Sequence, residues 1–243
     1  MKENKFKIIV PLYNAENYIE HCISTILQQT YKNYEMIVIN DASTDNSKEK
    51  IENIRRKIKF KVIHREENVG ALRNIVEGIE EICNDPEDII IIIDGDDSLY
   101  SVDVFEKINN IYQNENIWLT YGNYIDRLSN RIGCNKEIID TRTYRRKGLW
   151  CTSHLRTFKW HLWKGINIDD LKDINGNYYM SAYDNAILFP MIEMASKKRI
   201  KFVNDVLYLY NNENPINDHK KDLKLQLDIA MEIRRKPLYE EIP

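Results

Sequence analysis

Cysteine is scarce, with four in 243 residues, none in a Cys-x-x-Cys spacing and none beside a histidine pattern. That argues against a disulfide scaffold or a zinc site and leaves Cys22, Cys83, Cys134 and Cys151 as reduced thiols. Glycine is scarce too, at eight residues. Neither GxGxxG nor GxxxxGK[ST] is present, so a bound phosphate needs a metal and a basic side chain in place of a backbone cradle. No apolar run approaches the roughly 18 residues of a membrane span. The opening Lys2-Glu3-Asn4-Lys5 leads at once into a short apolar strand and does not read as a signal peptide, so a cytoplasmic protein without a membrane span is expected. Charge of one sign is lacking as well: a net charge of −3 and a pI of about 6.0 give no reason to expect nucleic acid as a partner. Repeats, low-complexity segments and linkers are absent, and the length suits one domain with a substantial core.

What is present is apolar and β-branched. Ile89 to Ile93 form an unbroken run between Asp88 and Asp94-Gly95-Asp96-Asp97. Such a run suits a strand buried on both faces, as in a parallel sheet. Crowded carboxylates repel unless a cation lies among them, which makes a hard divalent ion the natural partner of this strand end. Further strands are expected over Phe6–Pro11, Met36–Ile39, Phe60–Ile63 and Trp118–Tyr124, with short ones over 201–203 and 206–210. Helices are expected over Ala15–Gln29, capped by Asn14, from Ser43 to about Arg56, over Ala71–Ile82, over about Val102–Tyr112, over Ser153–Trp163, over about 180–196 around Pro190, and in a charged tail from about 220. Residues 126–148 read as a loop, with Arg142, Arg145, Arg146 and Lys147 either solvated or forming a lid. The alternation predicts an α/β fold: a mostly parallel sheet with helices on both faces.

A parallel sheet brings all its strand ends to one edge, where ligands bind. Here that edge gathers Pro11-Leu12-Tyr13-Asn14, Asn40-Asp41-Ala42-Ser43-Thr44-Asp45, the stretch from His64 to Gly70, and Asp94-Gly95-Asp96-Asp97. Together with Asn68-Val69-Gly70-Ala71-Leu72-Arg73-Asn74, these segments resemble, in order and spacing, the family 2 glycosyltransferases of the Rossmann-like GT-A fold. The likeness covers about the first 100 residues closely and the second half loosely.

The resemblance implies a nucleotide-diphosphate-sugar donor, UDP-linked in most of the family, and an inverting transfer that depends on Mn²⁺ or Mg²⁺. It places Pro11, Tyr13 and Asn14 at the base, Asp41 at the uracil edge or ribose, and Arg73 near the donor. Asp94-Gly95-Asp96 matches the DxD motif, with Asp94 toward the ribose, Asp96 on the metal and Asp97 adjacent. The usual Asp-Asp-Gly-Ser is Asn40-Asp41-Ala42-Ser43. The catalytic base, normally an Asp preceded by Glu, matches Asp184, with Tyr183 in the place of the Glu; Asp169, Asp170 and Asp173 are competitors. His219 is a candidate metal ligand. Trp150, His154, Arg156 and Trp160, with Trp163 nearby, are candidates for the acceptor side, although helical spacing also suits them to a core. The resemblance divides the chain into a domain over 1–219, with a nucleotide-sugar half (1–100) and an acceptor half (101–219), and a helical tail over 220–243. The acceptor is a glycan, a lipid-linked group or another hydroxyl compound. The alternatives are a non-catalytic nucleotide-sugar-binding module and a nucleotidyltransferase.

Overall fold

The computed structural model describes residues 3–133, 136–215, 220 and 222–243. In chain order the elements are β1 (Phe6–Leu12), α1 (Ile19–Leu27), β2 (Tyr34–Asn40), α2 (Ser47–Arg55), β3 (Lys61–His64), α3 (Ala71–Ile82), β4 (Ile89–Ile92), β5 (Ser98–Leu99), α4 (Val104–Asn114), β6 (Leu119–Asp126), α5 (Thr141–Lys147), β7 (Thr157–Lys159), α6 (Trp160–Lys164), α7 (Tyr183–Ala195), β8 (Ile200–Tyr210) and α8 (Leu223–Arg235).

The isoleucine run behaves as its branching dictates. It forms β4, buried at every position, inside an eight-stranded sheet of order β3-β2-β1-β4-β7-β6-β8-β5. Successive strand side chains point to opposite faces, so each central strand feeds two cores. Ile9, Ile37 and Ile39 pack with Ile75 and Ile79 of α3 and Phe189 and Met191 of α7. Ile8, Val10 and Val38 pack with Ile19 and Ile23 of α1 and Phe105 and Ile108 of α4. Helices thus cover both faces, which is why these strands read as unbroken apolar runs. β1 to β4 are mutually parallel where they pair, with Ile8 opposite both Met36 and Ile91. Their C-terminal ends therefore share one edge. β7 runs antiparallel between β4 and β6, and β8 lies parallel to β6 with a register shift around Asn123. Among the described residues, no helix is long and apolar enough to cross a membrane. Cys22, Cys83 and Cys151 are unbridged; Cys134 lies outside the described residues.

Local pattern and tertiary pairing disagree in several places. α1 starts at Ile19 rather than Ala15, because Asn14 takes a left-handed φ of 50° and its Oδ1 accepts from the Thr44 amide (2.8 Å) instead of capping the helix. α2 likewise starts late, at Ser47. The stretch read as a loop over 126–148 contains α5, whose N-terminus is capped by Asp140 accepting from the Arg142 amide. Its basic run is neither solvated throughout nor a lid. Arg145 is fully buried, with Nη2 donating to Glu193 Oε2 at 2.7 Å and Nε lying 2.7 Å from Oε1. Over 153–163 the helical spacing is overridden at Thr157–Lys159, which forms β7. The Thr157 hydroxyl sits 2.7 Å from Thr120 Oγ1 and 2.9 Å from Tyr112 Oη, fixing that strand between its neighbours. The C-terminal stretch forms α8 and then returns to the core. The Tyr239 amide donates to Glu193 Oε2 (3.0 Å) and the Ile242 amide to Met194 O (2.9 Å).

Glu193 thus joins α5, α7 and the returning C-terminal stretch. Removing one partner of a buried ion pair strands the other charge in the interior. Glu193→Ala is expected to lower the unfolding free energy by about 3 kcal/mol in urea melts; a loss below about 0.5 kcal/mol, the range of surface changes, contradicts this.

Candidate active site

The ends of β1, β2 and β4 open into a cavity of about 520 Å³. Pro11, Leu12, Tyr13, Asp41, Asp94, Asp96 and Asp97 line the strand side, while His154, Arg156 and Met180 to Asp184 face them. Asp222, Leu225 and Gln226 of the α8 region also contribute to the lining.

Each strand end is held by backbone donors. The Asp41 carboxylate accepts from the amides of Val69 and Gly70, both at 2.9 Å, which ties the end of β2 to the start of α3. Gly70 supplies the φ of +85° that this turn requires. Gly95 allows the acidic turn to press against β1, because a Cβ there would stand 2.5 Å from Leu12 Cβ and 3.2 Å from Pro11 O. Its amide donates to Pro11 O at 3.0 Å. Gly95 is therefore buried beneath the site rather than facing its contents.

The acidic residues have different surroundings. Asp94 accepts from the Tyr183 hydroxyl at 3.1 Å, and its amide donates to the Tyr208 hydroxyl at 3.1 Å. Asp96 Oδ2 accepts from Asn214 Nδ2 at 2.8 Å. Asp97 is buried; Oδ1 accepts from the Asn211 amide at 2.6 Å, the Tyr208 hydroxyl lies beside the carboxyl, and Oδ2 has no well-formed hydrogen bond among the described residues. Desolvation pushes the Asp94 carboxyl up to about 7, with Arg156 pulling it down and Asp96 and Asp184 adding to the rise. Burial and then Asp96 and Asp94 push Asp97 well above the usual carboxylate range.

Arg156 answers this charge. It is buried and forms an ion pair with Asp184. Burial weakens its hold on the proton, but Asp184 and Asp94 outweigh that and keep the guanidinium charged. Its Nη2 lies 2.9 Å from His154 Nδ1. Burial, and after it Arg156, drive the His154 imidazole well below its ordinary pKa, so the ring is neutral, and it stacks on Tyr208 with centroids 4.5 Å apart. One ligand atom each of Asp94, Asp97 and His154 fall within 4.8 Å of one another.

The remaining expected residues lie elsewhere. Asn14 holds the loop after β1 against the loop after β2 and is not among the residues lining the cavity. Arg73 pairs with Glu77 at 2.8 Å on the half-exposed side of α3, also outside the lining. Trp150 and Trp160 pack against the core rather than lining the cavity, and Trp163 is buried in that core. Asp169, Asp170 and Asp173 do not line the cavity; Asp170 accepts from the Tyr239 hydroxyl at 2.6 Å. His219 lies outside the described residues. Sequence reasoning missed Asn214, which lies shortly before the candidate His219 in the chain, and the hydroxyl of Tyr183, whose only signal was its adjacency to Asp184.

Comparison with known proteins agrees with this fold. The model of the family described as "Glycosyl transferase family 2" matches residues 7–165. Glycosyltransferase GlyG of Streptococcus pneumoniae is 29% identical over 223 residues, which are 85% of this chain and 70% of that protein. EpsJ of Bacillus subtilis, described as an uncharacterized glycosyltransferase, is 27% identical over 86% of this chain and 61% of its own length. The crystal structure of S. aureus TarS 1-349 in complex with UDP-GlcNAc matches with a TM-score of 0.68 and 19% identity, over 94% of this chain and 64% of that one. The chain thus spans less than two thirds of EpsJ and of that TarS chain.

The raised Asp94 carboxyl has a measurable consequence in metal-free protein. The native state keeps its proton up to about pH 7, whereas the unfolded chain releases it near the ordinary value of 3.8. Stability is therefore lost as pH rises through that interval. Asp94→Asn, which retains an acceptor for Tyr183, is expected to raise the thermal midpoint at pH 8 by about 2–4 °C in the presence of a chelator and to leave it unchanged at pH 4. An equal effect at both pH values contradicts the assignment.

Proposed function

Because the chain belongs to glycosyl transferase family 2 and has the GT-A fold of its solved neighbours, we propose that this glycosyltransferase moves a sugar from a UDP-linked donor to an acceptor hydroxyl, with inversion and with the help of a divalent cation. The observation that carries this reading is the placement of Asp184, at the start of α7, across one cavity from the acidic end of β4. Further support comes from neighbours of the same fold. TarS was solved with UDP and with UDP-GlcNAc. GalNAc-T7, with a TM-score of 0.64 and 13% identity, was solved with UDP, GalNAc and Mn²⁺.

The donor set suits a hard cation. Three carboxylates fall within four positions, one buried oxygen of Asp97 has no well-formed hydrogen bond among the described residues, and one ligand atom each of Asp94, Asp97 and His154 lie within 4.8 Å of one another. Asp96 would hold Mn²⁺ or Mg²⁺, with Asp94, Asp97 and His154 as the adjoining donors. A bound cation offsets charge developing on the leaving diphosphate.

The chain's own groups do the rest. Pro11, Tyr13 and Asp41 face the nucleoside, and Asn14 acts by holding the loop beside them. Arg73 reaches the donor only by leaving Glu77. Asp184 accepts the proton of the acceptor hydroxyl while that oxygen bonds to the anomeric carbon and the bond to the diphosphate oxygen breaks; one such displacement inverts the centre. Arg156 keeps the Asp184 carboxylate oriented and shares its charge with Asp94. His154 and Arg156 border the acceptor side.

Asp184→Asn is expected to reduce sugar transfer by about 10²–10⁴-fold while leaving UDP binding with Mn²⁺ within about twofold. Retention of transfer in that variant contradicts the base assignment. Asp96→Ala is expected to abolish metal-dependent donor binding in calorimetry, and binding that survives unaltered contradicts the metal assignment. A thermal-shift panel of nucleotide sugars with and without Mn²⁺ identifies the sugar, since a ligand of the native state raises the midpoint.

A further inference from the structure

The tyrosine before Asp184 has a partner far away in sequence. The Tyr183 hydroxyl donates to Asp94 Oδ1 at 3.1 Å, across 89 positions. Asp94 and Asp184 lie on elements that share no strand pairing, β4's end and α7's start, and Arg156 faces both carboxylates. Tyr183 is therefore a neutral hydrogen-bond link between the two acidic elements of the cavity, where every added negative charge would meet Asp94, Asp96, Asp97 and Asp184.

We propose that Tyr183 is a positioning residue whose hydroxyl fixes the orientation of the Asp94 carboxylate toward the donor and ties that carboxylate to the helix bearing Asp184. The inference rests on the donor reading given above. A hydrogen bond to an ionisable group constrains its rotamer and is among the stronger neutral-to-charged contacts. An acidic side chain at 183 reverses the effect, because it removes the donor and adds a further carboxylate to the four already there.

The experiment uses the full chain and calorimetric titration of UDP in the presence of Mn²⁺. Tyr183→Phe keeps the ring and is expected to weaken binding about tenfold, with the thermal midpoint of the free protein shifting by less than about 2 °C. Tyr183→Glu is expected to weaken it at least as much. In an Asp94→Ala background, Tyr183→Phe is expected to change affinity by less than about twofold, because the hydroxyl acts through Asp94. Wild-type affinity in Tyr183→Phe overturns the inference, as does an undiminished tenfold effect when Asp94 is already absent. A loss of binding that follows a matching fall in the thermal midpoint assigns Tyr183 a structural role and also overturns it. If the wild-type chain itself binds no UDP with Mn²⁺, the donor reading falls and this inference falls with it; if the wild type binds and Tyr183→Phe equals it, only the inference falls.

Discussion

Like charge crowded at the end of a buried strand is the constraint on which this site depends. Asp94, Asp96 and Asp97 follow directly on a strand that lies in the interior at every position. Desolvation lifts Asp94 to about 7 and Asp97 higher than usual. Among the described residues that line the cavity, Arg156 is the buried cation that answers this charge, and it is shared between Asp94 and Asp184. Asp94, Asp96, Asp97 and Asp184 crowd around that guanidinium in a cavity of about 520 Å³, which Asp41 and Asp222 also line. A divalent cation fits that crowding better than a neutral ligand does, because it relieves the repulsion among the carboxylates.

The fold produces this crowding by geometry. Parallel pairing of β1, β2 and β4 brings Pro11, Asp41 and Asp94 to the same edge. Gly95 lets the acidic turn lie against Leu12. Asp41 spends its carboxylate on two amides at the start of α3, so the residue that faces the cavity also sets its floor. The second half of the chain brings the opposite wall through β7, which enters antiparallel beside β4 and places His154 and Arg156 just before it. The site and the core are built by the same pairings.

The first half of the fold was legible because its signals are local. Strands buried on two faces give continuous apolar runs, and α3 spans the residues its periodicity indicates, Ala71–Ile82. The strand-end residues Pro11, Tyr13, Asp41, Asp94 and Asp96 follow from strand order alone, and all line the cavity. What escaped depends on distant partners. α5 buries an arginine only because Glu193 meets it from 48 positions away. β7 pairs with strands on either side in space, against its own helical spacing. Trp150 and Trp160 carry the residue types of a sugar platform but pack against the core instead. The link from Tyr183 to Asp94 leaves no trace in spacing at all.

A crystal structure of the chain with UDP and Mn²⁺ tests the assignment of the β4 end as the donor site. The expected complex has the ion on a carboxylate oxygen of Asp96, the diphosphate on that ion, the uridine between Tyr13 and Asp41, and Asp184 facing the open sugar side. A nucleotide bound away from the β4 end, or an ion with no carboxylate of Asp94, Asp96 or Asp97 among its ligands, contradicts it.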